Sequence, residues 1–347
     1  MRKPTASVDL LTAALHDGKP ERIPCICPGG MMNMLTTEMM DHCCAAWPLA
    51  HTDKETMAKL AAFPYENGLF DNIGVPFCMT VEAEAMGARV DLGDRCTEPR
   101  VAEYAISTVK NWEQLTPIDL SVGRCKVVLE AISLLAGTYP DAAIIGNLTG
   151  PISTASSVAN ADYFYRELRK NRDSAHAMLD FVTDQLVAFG KAQIKSGAEF
   201  IAISDPSGTG EILGPRLFEE YALPALNRLC QELKPLCRGV IVHICGQLHT
   251  IYPQLSMLEC SAISVDAIVN VKELRENVPG KAIMGNVSTF ALANGKESVI
   301  RNLCRASLVG GVDILAPACG LGTTSRIESI ALMMKSVKAL MENTENA

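Results

Sequence analysis

The sequence lacks the features that mark nucleic-acid-binding, membrane-spanning and exported proteins. Its 31 lysines and arginines are outnumbered by 39 acidic residues, for a net charge of −8, whereas nucleic-acid-binding proteins usually show a basic surplus. No apolar stretch reaches the roughly 18 residues that suggest a membrane span. Residues 1–24 contain basic groups but no apolar segment behind them, so we expect no signal peptide. These absences favour a cytoplasmic protein that binds neither nucleic acid nor membrane.

Aromatic residues are scarce, at 5% of the chain, although hydrophobic residues make up 48%. With 347 residues, the chain is long enough for two domains or for one large α/β barrel. Its 13 cysteines, without an export segment, indicate reduced thiols rather than a disulfide scaffold. Most cysteines taken singly are expected to be small buried hydrophobes, so we consider as ligands only those in an informative context.

Short apolar runs alternate with longer helical stretches along the chain. Strands are predicted at 23–27, 72–78, 143–148, 200–205, 240–245, 262–266, 282–287 and 312–317, and helices between them include 174–195, 215–233 and 297–308. Alternation of this kind implies parallel strands joined by right-handed crossovers. Eight such units predict one TIM (β/α)8 barrel domain over residues 1–347. A doubly wound open sheet is the alternative, but no Gly-rich phosphate-binding sequence follows the first predicted strand.

Two segments are additional to the eight β/α units of a minimal barrel, and we predict that they form insertions at its catalytic face. Residues 28–71 carry a Met-rich helical stretch, which is either a plastic contact surface for a partner or apolar cofactor, or a helix face packed on the barrel. We favour the packed face. Residues 87–124 are predicted to form a β-hairpin with a following loop, and both insertions are placed to form a lid or docking surface.

Three residues at strand ends indicate a metal site. The predicted strand 240–245 contains His243 and Cys245, whose one-residue spacing puts both side chains on one face, and Cys319 follows the strand 312–317. Functional groups of TIM barrels gather at these carboxyl ends. One imidazole and two thiolates suit zinc in tetrahedral geometry, and three protein ligands leave an open position, as in catalytic sites.

Asp266 ends the next predicted strand and has three candidate roles. It is a possible fourth ligand that substrate displaces, or an acceptor for the second N–H of the ligand imidazole. A structural role in capping the following turn is the third interpretation.

Zinc with two thiolate ligands favours thiol chemistry. Such an ion is a poor Lewis acid towards water, but it holds a third thiol as a thiolate at neutral pH. Hydrolysis would fit a site with more histidines or carboxylates better, and His243 is the one histidine at a predicted strand end. The residues therefore favour S-alkylation.

The chain resembles the methylcobamide:coenzyme M methyltransferases of the uroporphyrinogen decarboxylase superfamily. The matching segments span nearly the whole chain and include AAWPLAHTDKETMAKLA, GVPFCMTVEAEAMGARVDLGD, AAIIGNLTGP, AISDPSG, VHICG, MGNVS and GGVDILAPACGL. The resemblance implies a TIM barrel with zinc on His243, Cys245 and Cys319. The zinc site is more distantly similar to that of cobalamin-independent methionine synthases, where an acidic group near the place of Asp266 can join the metal.

The resemblance also implies a reaction and a partner. The zinc thiolate would attack the cobalt-bound methyl group of a methylcobamide carried by a small corrinoid protein, and cob(I)alamin would leave. Glu84 and Asp205 match positions near the site and are expected to orient groups or handle protons. Asn147 and Asn286 are expected to line the cofactor pocket. Decarboxylation of a uroporphyrinogen is disfavoured, because the stretch CICPGGMMNM contains no arginine.

Some loops depart from the family pattern, and alternatives stay open. The sequence GLGTTSRIE follows Cys319 where relatives usually have a proline-containing loop, which puts coenzyme M as the thiol acceptor in doubt. Arg326 in this loop is interpreted either as a partner for a sulfonate or carboxylate of the acceptor or as a solvated arginine at the start of a helix, and we favour the solvated position. The alternatives concern the acceptor and the type of protein. The acceptor would be tetrahydrofolate or a thiol other than coenzyme M. The protein would otherwise be a demethylase that loads a corrinoid protein, or a non-catalytic corrinoid- or tetrapyrrole-binding protein. The sequence does not indicate the oligomeric state.

Overall fold

A parallel sheet forms the centre of the molecule. The structure, a computed structural model, describes residues 5–345 except 17 and 19, with side chains as far as residue 339. The described residues form nine strands, namely β1 (Asn72–Val75), β2 (Arg89–Asp91), β3 (Arg100–Glu103), β4 (Ala143–Thr149), β5 (Phe200–Ser204), β6 (Val240–Ile244), β7 (Ala262–Val265), β8 (Ala282–Val287) and β9 (Ile314–Pro317).

The described residues also form fifteen α-helices. These are α1 (Ser7–Leu15), α2 (Thr37–Cys43), α3 (Lys54–Glu66), α4 (Val81–Ala85), α5 (Gly123–Thr138), α6 (Pro151–Val158), α7 (Ala161–Lys170), α8 (Arg172–Lys195), α9 (Gly210–Leu217), α10 (Leu223–Leu233), α11 (Tyr252–Ser256), α12 (Val271–Asn277), α13 (Thr289–Asn294), α14 (Glu297–Gly310) and α15 (Ile327–Glu345). None of the described helices combines the length and the apolar character needed to cross a bilayer.

Seven strands pair in parallel in the order β1-β4-β5-β6-β7-β8-β9. Every residue of β4, β5 and β6 is buried, as expected where helices cover the outer face of a parallel sheet. The strands predicted from residue 143 onward are confirmed. The strand predicted at 72–78 ends at Val75, because Pro76 follows and has no N–H for the ladder. Since all seven strands run the same way, their carboxyl ends meet at one edge of the curled sheet.

The first predicted strand, 23–27, is not a regular strand. Cys25 forms one isolated parallel bridge with Leu315 of β9, and the Leu315 N–H donates to the carbonyl of Pro24 at 2.9 Å. Pro24 has no N–H of its own, so the ladder cannot extend in this direction.

The same segment also contacts the opposite edge strand. The Asp71 N–H donates to the carbonyl of Cys25 at 2.8 Å. However, the N–H groups of Cys25 and Cys27 donate to the side chains of Asp71 and Asn72, at 2.8 and 2.9 Å. Side chains thus take the donors that a backbone ladder would use. The segment links β9 to β1, which is consistent with the predicted barrel.

The helix predicted at 215–233 contains an irregular turn. Residues Phe218–Ala222 form a π-helical turn between α9 and α10. Pro224, the second residue of α10, has no N–H for the carbonyl four residues earlier, which removes one α-helical bond.

Both predicted insertions are present. Strands β2 and β3 pair as an antiparallel hairpin, and α2 and α3 lie in the segment 28–71. Met32, Met34, Met39 and Met40 of that segment are at most 1% exposed. The Met-rich stretch therefore belongs to the core, and the interpretation as a partner surface was wrong for these four residues.

Candidate metal centre

Strand β6 brings His243 to the carboxyl edge of the sheet, and Cys245 follows the strand directly. His243 lies in register between Ser204 of β5 and Ser264 of β7, so it is central in the sheet and only 1% exposed. Cys245 is half-buried. The imidazole Nε2 lies 3.1 Å from the Cys245 Sγ, so both ligand atoms point to the same place, as their spacing predicts.

The turn after Cys245 requires glycine. Gly246 has a φ of 75°, in the left-handed region that side chains with a Cβ rarely adopt. A Cβ built on this residue would lie 2.2 Å from Oε2 of Glu211 on α9. The carboxylate of Glu211 therefore lies against the turn that carries Cys245.

A turn after β9 places Cys319 at the same edge. The Ala318 N–H donates to the carbonyl of Val287 at 2.8 Å, which extends the pairing of β9 with β8 past the end of the strand. A Cβ on Gly320 would lie 2.6 Å from the carbonyl oxygen of Met31. The chain can therefore pass this closely over the segment after residue 27 only because residue 320 is glycine.

The ligand atoms of His243, Cys245 and Cys319 lie within 4.8 Å of one another. Among the described residues these three form the metal-binding candidate. One imidazole nitrogen and two sulfurs are the donor set that zinc favours, and three protein ligands leave a fourth tetrahedral position open. The residues therefore fit the metal that the sequence predicts.

The two candidate cysteine ligands affect each other's acidity. Interaction with Cys245 and with His243 lowers the pKa of Cys319 to about 4 despite its burial. Interaction with Cys319 and burial raise the pKa of Cys245. A soft divalent cation bound here would favour the thiolate form of both cysteines.

Ser264 is the hydrogen-bond partner of the imidazole. Its Oγ lies 2.9 Å from Nδ1 of His243 and donates to Sδ of Met32 at 3.5 Å. With Nε2 directed at Cys245, Nδ1 carries the proton and donates to the serine. The sequence analysis considered Asp266 for this role, as one of three interpretations. Ser264 was missed because a serine inside a buried strand has no distinctive pattern, although it lies opposite His243 in the register.

Asp266 lies beside the three ligands but outside the cluster that the described residues form. Its carboxylate accepts from the N–H of Gly246 at 3.3 Å and from the N–H of Ile268 at 3.2 Å. It therefore caps the following turn, which is one of its three predicted roles. It also places a negative charge next to Cys245.

Glu84 and Asp205 are held by other groups of the protein. Glu84 on α4 pairs with the buried Arg124 at 2.5 Å. Asp205 follows β5, is fully buried, and accepts from the N–H groups of Ile152 and Ser153 at the start of α6, at 3.1 and 2.8 Å. Burial raises the pKa of Asp205 against these hydrogen bonds.

Asn147 and Asn286 connect segments of backbone at the carboxyl edge. The Asn147 side-chain amide donates to the carbonyls of Pro28 and Val75, at 2.8 and 3.0 Å. The Asn286 amide donates to the carbonyls of Asp266 and Val269, at 3.0 and 2.9 Å. Each asparagine thus fixes a loop of the candidate site.

Glu98 near the tip of the β2–β3 hairpin is a further acidic residue with a shifted pKa. Its side chain is half-buried, and burial together with the negative charge of Cys319 raises its pKa to about 7. Sequence reasoning predicted the hairpin as a possible lid but did not single out this residue, because nothing in the hairpin's pattern distinguishes it from the other charged residues there.

Known proteins resemble the chain over nearly its whole length. The methylcobamide:CoM methyltransferase MtbA of Methanosarcina acetivorans is 32% identical, over 94% of this chain and 96% of its own. A methylated-thiol–coenzyme M methyltransferase of Methanosarcina mazei is 31% identical, over 94% and 87%. The solved structure of a methyltransferase from Methanosarcina mazei has a TM-score of 0.90 at 28% identity, covering 97% of this chain and 99% of that one.

The family described as uroporphyrinogen decarboxylase (URO-D) matches residues 6–340. This range contains all the strands, the hairpin and the three candidate ligands. Together with the full-length relatives, the match shows that the chain belongs to the uroporphyrinogen decarboxylase family and, within it, to the methylcobamide:CoM methyltransferases.

Proposed function

We propose that this enzyme transfers a methyl group from a methylated corrinoid to a thiol, at a zinc ion held by His243, Cys245 and Cys319. The observation that carries the proposal is the convergence of one imidazole nitrogen and two sulfurs within 4.8 Å at the carboxyl edge of the sheet. The names of the relatives, methylcobamide:CoM methyltransferases, support the corrinoid donor and the thiol acceptor.

The proposed reaction is a substitution at the methyl carbon. Zinc bound to the three ligands would keep the acceptor thiol as a thiolate at neutral pH. The acceptor sulfur forms the new bond to carbon, the cobalt–carbon bond breaks with its electron pair left on cobalt, and the thiol proton passes to solvent. The products are a methyl thioether and cob(I)alamin.

The surrounding residues position the ligands and the loops of the site. Ser264 fixes the tautomer of His243, and Asp266 holds the turn after Cys245. The proposal also includes a contact between the Asp266 carboxylate and the metal when no acceptor thiol occupies the open position. We assign Glu84 and Asp205 orienting roles, because Arg124 and helix α6 already occupy their carboxylates.

The proposal extends to the cofactor pocket and the partner. Asn147 and Asn286 would shape the pocket through the loops that they hold. A small corrinoid protein would bring its methylcobamide to the carboxyl edge, between the hairpin and the loop that follows β9. Coenzyme M is the acceptor in the relatives' names.

We also infer how the barrel closes. The segment 24–27 would complete a closed (β/α)8 barrel between β9 and β1, with the whole chain as one domain.

We infer a cytoplasmic location from the cysteines. All 13 cysteines are unpaired, and a metal centre with thiolate ligands needs a reducing compartment.

The experiment that tests the function is an anaerobic methylcobalamin assay on metal-quantified protein. Cob(I)alamin release is followed by absorbance with coenzyme M, 2-mercaptoethanol, homocysteine or tetrahydrofolate as acceptor. We expect about one zinc per chain and turnover with a thiol. Zinc-loaded protein that transfers no methyl group to any acceptor would contradict the proposal.

Replacement of a ligand should remove metal and activity together. Cys319→Ala leaves two ligands, so we expect loss of zinc after dialysis and loss of methyl transfer. Cys237→Ala is the matched control, since Cys237 is also half-buried but lies before β6, at the opposite end of the strand. Retention of zinc and activity in Cys319→Ala would overturn the ligand assignment.

One relative favours a second candidate function, demethylation. The methylated-thiol–coenzyme M methyltransferase suggests that a methylated thiol can be the donor in this family. In that case, the protein would transfer methyl groups from a methyl thioether to cob(I)alamin faster than it transfers them from methylcobalamin to a thiol. The direction of net methyl flow in the same cuvette distinguishes the two candidates.

A further inference from the structure

Three arginines line a cavity between α7, α8 and α9. Arg169 lies in the last turn of α7, Arg172 begins α8, and Arg216 lies in the last turn of α9. The cavity has a volume of about 450 Å³, within the range of roughly 300–1,000 Å³ that small-molecule sites have. The rest of its wall comes from α9, namely Leu213, Gly214, Pro215 and Leu217. No candidate metal ligand borders the cavity, so it is separate from the metal centre.

Irregular backbone fixes the walls of this cavity. Gly214 has a φ of 70° and interrupts the helical geometry of α9, in a conformation that favours glycine. The π-helical turn Phe218–Ala222 follows, and π-helical turns are frequent at functional sites. Within this turn, the hydroxyl of the buried Tyr221 donates to the carbonyl of Leu168 in α7 at 2.6 Å. The segments that carry Arg169 and Arg216 are therefore tied to each other.

Two of the three arginines have no counter-ion in the described part of the chain. Arg172 pairs with Glu220 at 2.7 Å, and Nε2 of His176 lies 3.3 Å from the same carboxylate. Arg169 and Arg216 form neither an ion pair nor a side-chain hydrogen bond with any described residue. Since the whole chain has a net charge of −8, this positive cluster does not follow from its overall composition. Like charges that share a cavity repel each other, and a bound anion removes this repulsion.

The hydrogen-bonding groups of the cavity define the class of ligand. A guanidinium donates paired hydrogen bonds in a planar fork, which matches the oxygens of phosphate and carboxylate groups. Arg169 and Arg216 come from two different helices, so they suit a ligand with two anionic groups. Arg172 is already balanced by Glu220 and can still offer a further N–H donor.

We propose that this cavity binds a small polyanion, a compound with at least two phosphate or carboxylate groups, through Arg169 and Arg216. The inference goes beyond the proposed function and does not depend on it, because binding requires neither the metal nor a methyl donor. Helix α9 connects the two sites. Its Glu211 lies against Gly246, and the five residues from Glu211 to Arg216 span at most about 18 Å.

Isothermal titration calorimetry of the full chain with pyrophosphate, citrate and inorganic phosphate tests the proposal. The titrations are made at constant pH and ionic strength, so that general screening by salt is the same in each. We expect pyrophosphate or citrate to bind at one site per chain, about tenfold or more tighter than phosphate, which cannot engage both unpaired guanidinium groups. The tighter of the two assigns the natural ligand to the phosphate or to the carboxylate compounds.

Arginine variants locate the bound anion. Arg169→Ala and Arg216→Ala should each weaken binding of the tighter polyanion by about tenfold. Both side chains are exposed, so their removal spares the core. Arg305→Ala is the matched control, because Arg305 is exposed on α14, forms no ion pair with a described residue and lies outside the cavity. Its Kd should equal that of the wild-type protein.

Cys319→Ala separates this site from the metal centre, since pyrophosphate and citrate also bind metal ions. We expect unchanged polyanion binding in Cys319→Ala, and its loss would place the anion at the metal and overturn the proposal. Equal weakening in all three arginine variants would show a general charge effect and overturn it as well. So would the absence of saturable binding of all three anions, or phosphate binding as tight as that of the polyanions. None of these readouts uses methyl transfer, so they leave the proposed function to its own test.

Discussion

The imidazole of His243 depends on a neighbour that does not bind the metal itself. The Ser264 hydroxyl accepts a hydrogen bond from Nδ1–H of His243 and donates one to Sδ of Met32. The ring is therefore held with Nε2 directed at Cys245. Groups that fix a ligand histidine in this way contribute strongly to metal affinity.

The first prediction therefore concerns Ser264. We expect Ser264→Ala to lower zinc affinity by about 10–100-fold, because the ring loses its fixed orientation and its Nδ1–H loses its acceptor. Competition with a chromogenic chelator measures this change. Ser261→Ala is the control, since the Ser261 Oγ accepts from Val240 at the far end of β6. An unchanged affinity in Ser264→Ala would show that the ring is held by packing alone.

At the scale of elements, Asp205 couples a strand to a helix. It follows β5 and accepts from two N–H groups at the first turn of α6 and from the hydroxyl of Ser153, at 2.6 Å. A carboxylate at a helix N-terminus satisfies donors that have no partner inside the helix. Burial nevertheless disfavours its charge and raises its pKa.

The second prediction follows from this position. Asp205→Ala leaves buried donors without an acceptor, so we expect it to lower the free energy of unfolding by about 2–4 kcal/mol. Asp205→Asn keeps one acceptor oxygen and should cost about half as much or less. Urea unfolding of both variants measures the difference. A stable Asp205→Ala variant that retains zinc but loses methyl transfer would instead support direct involvement of Asp205 in the reaction.

At the scale of the whole molecule, His51 connects the insertion 28–71 to the sheet. It is 1% exposed, its ring centroid lies 5.1 Å from that of Trp47, and it contacts Phe77 after β1. Neither ring nitrogen has a hydrogen-bond partner among the described residues. Burial lowers the pKa of His51 to about 3, which means that the folded protein requires the neutral ring.

The third prediction is acid sensitivity of the entire fold. A histidine with a lowered folded-state pKa contributes stability above its unfolded pKa, near 6.5, and this stability is lost as the pH falls towards 3. Between pH 6.5 and about pH 3, the wild-type protein loses unfolding free energy through protonation of His51. We expect His51→Phe to lose less over this pH range, by up to about 4 kcal/mol. Buried Glu82 and Asp205 have raised pKa values and act in the opposite sense, so the comparison with the wild-type protein is the informative one.

Urea titrations at several pH values between 3 and 7 provide the measurement. His249→Gln is the control, because His249 is exposed and should not alter the acid profile. Identical profiles for His51→Phe and the wild-type protein would mean that protonation of His51 does not limit acid stability. Since we propose one domain, a single unfolding transition is expected throughout.

The alternation of strands and helices and the place of the three candidate ligands can be predicted from local sequence patterns. Buried parallel strands read as continuous apolar runs, and the spacing of His243 and Cys245 fixes their common face without reference to the rest of the chain. These features are local, so pattern and period are sufficient to predict them. The family was identified from the resemblance of sequence segments along nearly the whole chain.

The support of the candidate site comes from contacts between distant segments, which sequence patterns do not predict. Segment 24–27 looks like a strand, but the N–H groups of Cys25 and Cys27 are bound by the side chains of Asp71 and Asn72, which lie in a distant part of the chain. Ser264 reaches His243 through strand register, and the tip of the β2–β3 hairpin is held by contacts with Thr323 and Thr37. Contacts between residues far apart in sequence leave no periodic trace, because each is set by how separate elements pack.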